Sequence, residues 1–101
     1  MKNPIYVVAE AQNIPDNGTV PYAYATVYPT KAAARRGLRK MVKDIVQANY
    51  EGNDDIEASD INDEVNSIIK NGDGTNWYWE ANDRSAVWRI LEVDIAQFNN
   101  K

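Results

Sequence analysis

The sequence predicts a two-layer α+β fold, a four-stranded antiparallel sheet in ββααββ order with two helices on one face. Four segments near the ends of the chain alternate side chains with a period of two, which is typical of half-buried strands. Two segments between them repeat apolar residues at three- and four-residue steps, which indicates helices with one apolar stripe each. A length of 101 residues fits a single domain, 1–101, because two domains would each be too small to fold independently.

The first hairpin is predicted over residues 4–28. Residues 4–12 alternate as a strand with one partly wet face, and residues 13–20 contain proline and glycine, which favour a reversal of the chain. The second strand, 21–28, separates its side chains by size, because tyrosines share one parity and small residues share the other. The tyrosines are Tyr22, Tyr24 and Tyr28, and the small residues are Ala23, Ala25 and Val27.

Two helices are predicted between the hairpins. The first begins after Thr30, which is a suitable N-cap. Gly37 lies within this helix and permits a close neighbour, which we expect to be the second helix. After a polar linker, Ser59 or Asp60 caps the second helix, which ends with Gly72 at the C′ position.

The second hairpin carries all three tryptophans. A strand at 77–81 is followed by a turn and a last strand. In that last strand the apolar residues alternate at Trp88 and Ile90, but the alternation then shifts by one residue to Leu91 and Val93. Because one extra residue in a strand swaps its faces, we expect a bulge near residues 90 and 91. We expect the tryptophans to form the core, where they substitute for scarce Leu and Phe. An exposed aromatic platform is the alternative.

Composition excludes most enzyme mechanisms. The chain contains no Cys and no His, which removes thiol nucleophiles, disulfides, imidazole general bases and the usual transition-metal ligands. We therefore expect no catalytic residue, no metal and no cofactor. No stretch approaches the roughly 20 apolar residues of a membrane span, and no export signal is evident. We expect a cytoplasmic protein without membrane contact.

Charge is divided unevenly along the chain. Residues 1–50 carry 7 Lys and Arg against 3 Asp and Glu, whereas residues 51–101 carry 4 against 12, for a formal net charge of −4. The basic residues of helix 31–43 fill one continuous strip beside the apolar stripe. This strip binds phosphates or an acidic partner, or it is a solvated face beside the second helix, which is the commoner case. Its candidate interface residues are Arg35, Arg36, Arg39, Lys40 and Lys43.

The tyrosines of the second strand form the other part of the candidate interaction surface. An exposed row of Tyr22, Tyr24 and Tyr28 makes a good protein interface, because the tyrosine ring is large, rigid and half polar. The small residues of the opposite parity fit beneath a helix. Exposed and core positions are therefore about equally expected for this row.

Three segments resemble small uncharacterised proteins of Gram-positive bacteria and their phages. These segments are Ile5-Tyr6-Val7-Val8 at a strand start, Tyr28-Pro29-Thr30-Lys31 at a strand–helix junction, and Trp88-Arg89-Ile90-Leu91-Glu92-Val93 near the end. The resemblance covers most of the chain in order, and it implies no catalytic residues.

The leading hypothesis is a non-enzymatic protein-interaction module, monomeric or homodimeric, that binds another protein. It would use the tyrosine row, the loop at 13–20 or a sheet edge. One alternative is an acidic inhibitor that imitates nucleic acid and occupies a host or phage-defence enzyme. Another is weak nucleic-acid binding through the basic helix 31–43, although a pI near 4.7 disfavours a general nucleic-acid binder.

Overall fold

The computed structural model describes residues 4–13, 22–81 and 84–94. It confirms the predicted α+β fold, with four antiparallel strands in one sheet and two helices in ββααββ order. The elements are β1 (Pro4–Asn13), β2 (Tyr22–Tyr28), α1 (Lys31–Asn49), α2 (Ala58–Asn71), β3 (Asn76–Ala81) and β4 (Arg84–Asp94). The predicted reversal at 13–20 lies almost wholly outside the described residues. A second reversal is predicted at 82–85. Residues 82 and 83 lie outside the described residues, whereas Arg84 and Ser85 belong to β4.

The strand order places β1 and β4 at the centre of the sheet. The order is β2-β1-β4-β3, so β2 and β3 are the edges. β1 and β4 pair without interruption, with Val8 opposite Ile90 and Val7 opposite Leu91. The bulge expected near residues 90 and 91 is therefore wrong. Because successive side chains of a regular strand point to opposite faces, β4 directs apolar residues to both faces of the sheet.

The helices cover one face of the sheet. α1 packs on β1 and β2, while α2 packs on β3 and against α1. The three tryptophans belong to the core, as expected, and each is at most 6 % exposed. The buried core comprises Val8, Ala34, Leu38, Val42, Ile45, Val46, Val65, Ile68, Trp77, Trp79, Ala86, Trp88 and Ile90.

The N-terminal ends of the helices are capped by side chains. Thr30 caps α1 as predicted, because its hydroxyl accepts a hydrogen bond from the Ala33 amide at 3.1 Å. The predicted cap of α2 is wrong by two or three residues, since the N-cap is Glu57. Asp60 is instead the N3 residue of a capping box, and its carboxylate accepts a hydrogen bond from the Glu57 amide at 3.0 Å.

Two glycines lie against aromatic rings of the sheet. Gly72 is extended (φ −74°, ψ 167°), so it is not the left-handed C′ residue expected from the sequence. A Cβ at Gly72 would overlap the Trp77 indole. The neighbour expected for Gly37 is also wrong, because a Cβ there would overlap the Tyr28 phenol of β2 and not α2. Both glycines therefore allow an aromatic side chain to approach the helical layer closely.

Candidate functional site

The sheet face beneath the helices, named the covered face, contains a buried polar network. Glu10 is 2 % exposed. Gln12 Nε2 donates to one oxygen of the Glu10 carboxylate at 2.8 Å, and the Trp88 indole N–H donates to the other oxygen. A buried carboxylate is costly unless its oxygens are hydrogen-bonded, and here each oxygen has a donor. The network links β1 to β4 inside the core.

The covered face is also polar where β1 begins and β4 ends. The Tyr6 hydroxyl donates to the Glu92 carboxylate at 3.0 Å across these two strands. This hydrogen bond to a carboxylate raises the pKa of Tyr6 above its ordinary value of 10.0. The residues on either side of Tyr6 and Glu92 in the sequence are aliphatic. Because side chains alternate along a strand, these neighbours point to the other side of the sheet.

That other side, named the open face, is aliphatic. Unbroken antiparallel register places alternate residues of all four strands on it. Val27 is 58 % exposed, Tyr78 is 56 % exposed and Val87 is 44 % exposed. Contiguous apolar patches of this kind mark interaction sites on soluble proteins. The apolar members of the open face are Ile5, Val7, Ala9, Ala11, Ala23, Ala25, Val27, Tyr78, Val87, Leu91 and Val93.

The open face is uneven in height. A hollow of about 890 Å³ is lined by residues of both faces of the sheet and by the C-terminal end of α2, so it reaches into the helical side and is not a depression of the open face alone. On the open face, β1 and β2 carry alanines at positions 9, 11, 23 and 25, so that this part of the face is low. Tyr78 and Val87 make the neighbouring part on β3 and β4 higher, and Val7 and Val27 make β1 and β2 high in another row. The open-face residues that line the hollow are Ala9, Ala11, Ala23, Ala25, Tyr78, Val87 and Arg89.

The described part of the open face carries two formal charges of opposite sign. They belong to Glu80 on β3 and Arg89 on β4. The Tyr78 hydroxyl donates to the Glu80 carboxylate at 2.5 Å, which raises the pKa of Tyr78 above 10.0. The two charges cancel, so this face is neutral although the whole chain carries a formal net charge of −4.

The tyrosine row predicted as an interface lies on the covered face. Tyr24 and Tyr28 pair with covered-face residues of β1. The opposite arrangement, with the small residues of β2 beneath a helix, is wrong, because the Tyr28 phenol fits against Gly37 of α1. Tyr24 remains 46 % exposed. The side chain of Tyr22 lies outside the described residues.

The basic strip on α1 meets the C-terminal end of α2. Arg35, Arg36 and Arg39 line a hollow of about 470 Å³ together with Gly72 and Gly74. The arginines of this hollow come from successive turns of one helix, so their convergence follows from helical spacing.

The rest of the basic strip is less organised. Lys40 and Lys43 are exposed on α1 and do not line this hollow. Arg39 Nη2 donates to the Asn66 side chain of α2 at 2.5 Å, so this helix-to-helix contact uses an amide and not a carboxylate. The structure therefore separates the predicted surface into a tyrosine part on the covered face, where Tyr28 lies against α1, and a basic part on the helical layer.

The aliphatic open face was missed by reasoning from the sequence. Its signal was the change of parity in β4, where Leu91 and Val93 follow Ile90. A bulge would have returned these side chains to the core. In unbroken register the same change places Leu91 opposite Val7 and Val93 opposite Ile5 on the uncovered side of the sheet.

Asp73 organises the turn between α2 and β3. Its Oδ1 accepts hydrogen bonds from the Thr75 amide at 2.8 Å, the Thr75 hydroxyl at 2.9 Å and the Asn76 amide at 2.7 Å. These donors lower the pKa of Asp73 from 3.8 to about 2. Among residues 4–13, 22–81 and 84–94, no group of three or more acids is placed to hold a metal ion.

No family model, curated protein or solved structure matches this chain. Within the described ranges, neither helix combines the length and the apolar content needed to cross a bilayer. The geometry of the open face is therefore the main guide to function.

Proposed function

We propose that this chain is a non-enzymatic protein-interaction module whose contact surface is the open face. The proposal includes action in the cytoplasm, of a bacterium or of a phage-infected cell. The supporting observation is an aliphatic sheet face opposite a helical layer that already covers the other side. In a two-layer antiparallel fold the uncovered face is ordinarily polar, because it faces water. An apolar face in that position favours a partner that excludes the water.

Contact with the open face contributes favourably to the free energy of binding. Burial of apolar surface contributes about 25 cal/mol per Å². Covering roughly 300 Å² of the open face would therefore contribute about 7 kcal/mol, from which the entropy lost on association is subtracted. Val27 and Val87, which are exposed large apolar residues, lie where a partner would gain most of this contribution.

Site-specific photo-crosslinking in cells of the source organism tests the proposal. A photoreactive amino acid is placed singly at Val87 or Val27 on the open face, or at Ser67, which is exposed on α2. We expect protein adducts of higher mass from the two open-face positions and only background from Ser67. No adduct from Val87, or equal yields from both layers, would contradict the proposal.

A second candidate function is weak nucleic-acid binding through the basic helix 31–43. It is favoured by the hollow in which Arg35, Arg36 and Arg39 come together, because guanidinium groups bind phosphate in a bidentate manner. A gel shift at low salt should show weak retardation that disappears as the salt concentration rises. Absence of retardation at low salt would remove this candidate.

The acidic-inhibitor hypothesis receives less support from the geometry. Several acids have local structural roles and do not form a strip that imitates phosphates. Glu10 belongs to the core network, Asp60 to the cap of α2 and Asp73 to a turn, while Glu92 accepts from Tyr6.

A further inference from the structure

We infer that the occupant of the open face is a second copy of this chain. The two sheets would pack face to face about a two-fold axis that runs parallel to the strands, between β1 and β4. This inference rests on the proposed function and names its partner. Three properties of the open face support it, namely its relief, its area and its charge.

One row of the open face is self-complementary about this axis, while the rows of Leu91 over Val7 and Val93 over Ile5 bring branched side chains together. Ala23, Ala11, Val87 and Tyr78 form one row across β2, β1, β4 and β3. The two-fold operation lays β4 of each copy over β1 of the other, and β3 over β2. Val87 then faces Ala11, and Tyr78 faces Ala23. Because the interface is isologous, each of these pairings of a large side chain with a small one occurs twice.

The area of the open face is close to what a small specific interface needs. Strands spaced about 4.8 Å apart, with a rise of about 3.3 Å per residue, give this four-stranded sheet a projected area of roughly 500 Å². Because β3 of one copy overlaps only part of β2 of the other, two copies would together bury roughly 900 Å², close to the lower bound of about 1,000 Å² for specific contacts. Stacked sheets pack about 10 Å apart, a distance that apolar side chains of this size fill.

The charge of the open face permits an identical partner. Its charged residues, Glu80 and Arg89, cancel, so two open faces do not repel each other as two net-negative surfaces would. In the proposed arrangement Arg89 of each copy lies over Ala9 of the other. The two Arg89 residues lie on opposite sides of the axis, and each long side chain extends over the edge strand β3 to reach water.

Sedimentation equilibrium from micromolar to millimolar concentration tests the inference. We expect the wild-type chain to form a dimer, and Val87→Glu to raise its dissociation constant by roughly 100-fold, because two carboxylates would enter an apolar contact. Ala11→Glu, at the position that Val87 faces, should act similarly. The matched control, Ser67→Glu on the helical layer, should leave the constant unchanged. Circular dichroism of each variant checks the fold.

A charge-swap experiment tests the geometry. The two residues at position 87 lie diagonally across the proposed axis, so Val87→Glu and Val87→Lys chains should each remain monomeric and should associate when mixed. Failure of the mixture to associate would overturn the proposed arrangement.

The outcomes separate this inference from the proposed function. A dimer that neither Val87→Glu nor Ala11→Glu weakens would place the contact elsewhere and overturn the inference. A wild-type chain that stays monomeric throughout would also overturn it. In that case, crosslinking of Val87 to a different protein in cells would leave the proposed function standing, whereas no crosslinking would contradict both.

Discussion

The two faces of the sheet depart from the ordinary pattern, because both carry apolar residues and the covered face also buries a carboxylate. The covered face buries a carboxylate, with Glu10 only 2 % exposed, while Val27 on the open face is 58 % exposed. In most half-buried sheets the polar side chains face water and the aliphatic ones face the core. Packing between the sheet and its helices therefore explains the covered face alone. The aliphatic residues of the open face require a second contact, which we propose is intermolecular.

The largest expected difference between the faces is in stability. Trp88→Ala should lower the free energy of unfolding by about 3–5 kcal/mol, because the buried indole packs in the core. Val87→Ala, one residue earlier on the opposite face, should change it by less than about 0.5 kcal/mol in the monomer. Urea unfolding at concentrations where the chain is monomeric measures both values. Comparable losses would mean that the open face is part of the folded core.

The buried network allows a second test of the same contrast. Glu10→Ala should cost roughly 1–3 kcal/mol, because the Trp88 indole N–H would be left buried without its acceptor. Arg89→Ala, on the open face of the adjacent strand, should be within about 0.5 kcal/mol of wild type. Chemical denaturation compares the two, and an unchanged stability for Glu10→Ala would show that the network is not a constraint on the fold.

The effect of Gly37→Ala on the free energy of unfolding should change sign when the Tyr28 ring is removed. Gly37→Ala should destabilise the wild-type chain by about 1–2 kcal/mol, since overlap with the phenol exceeds the helix-propensity gain. In a Tyr28→Ala background the overlap is gone, and the same substitution should stabilise by up to about 1 kcal/mol. A double-mutant cycle measures this coupling. Equal effects in both backgrounds would refute the placement of Tyr28 against α1.

The smallest expected effect lies at Asp73, away from both faces. Its pKa is lowered from 3.8 to about 2 in the folded chain, so its hydrogen bonds stabilise the fold above pH 4. That stabilisation is lost as the pH falls from about 4 to about 2. Asp73→Asn should flatten the dependence of stability on pH in this window, as followed by acid unfolding. An unchanged slope would show that Asp73 does not titrate as described.

Most of the architecture could be predicted because each element has a local signal. Period-two alternation, helical stripes and the Thr30 cap all lie within short stretches of sequence. The close contacts of Gly37 and Gly72 could not be predicted, because each involves a ring brought close by the tertiary fold. The face of the sheet on which the tyrosines of β2 lie could not be predicted either, because the tyrosines and the small residues could each have faced the helices.

The candidate site was harder to predict than the fold for a related reason. Tyrosines and arginines attract attention as interface residues, whereas alanine and valine are ordinary core residues. In this chain the tyrosines were assigned to a possible surface and Val27 to a possible core position. The register of β1 with β2 and β4 shows which residues share a face, and the burial of Val8 and Trp88 shows which face the helices cover.

The most direct test of the open face is a methyl NMR dilution series of the wild-type chain. We expect concentration-dependent shifts of the methyl signals of Val7, Val27, Val87 and Leu91, while the buried methyls of Val65 between the layers stay constant. Shifts confined to residues of the helical layer, or no shift up to millimolar concentration, would contradict the account.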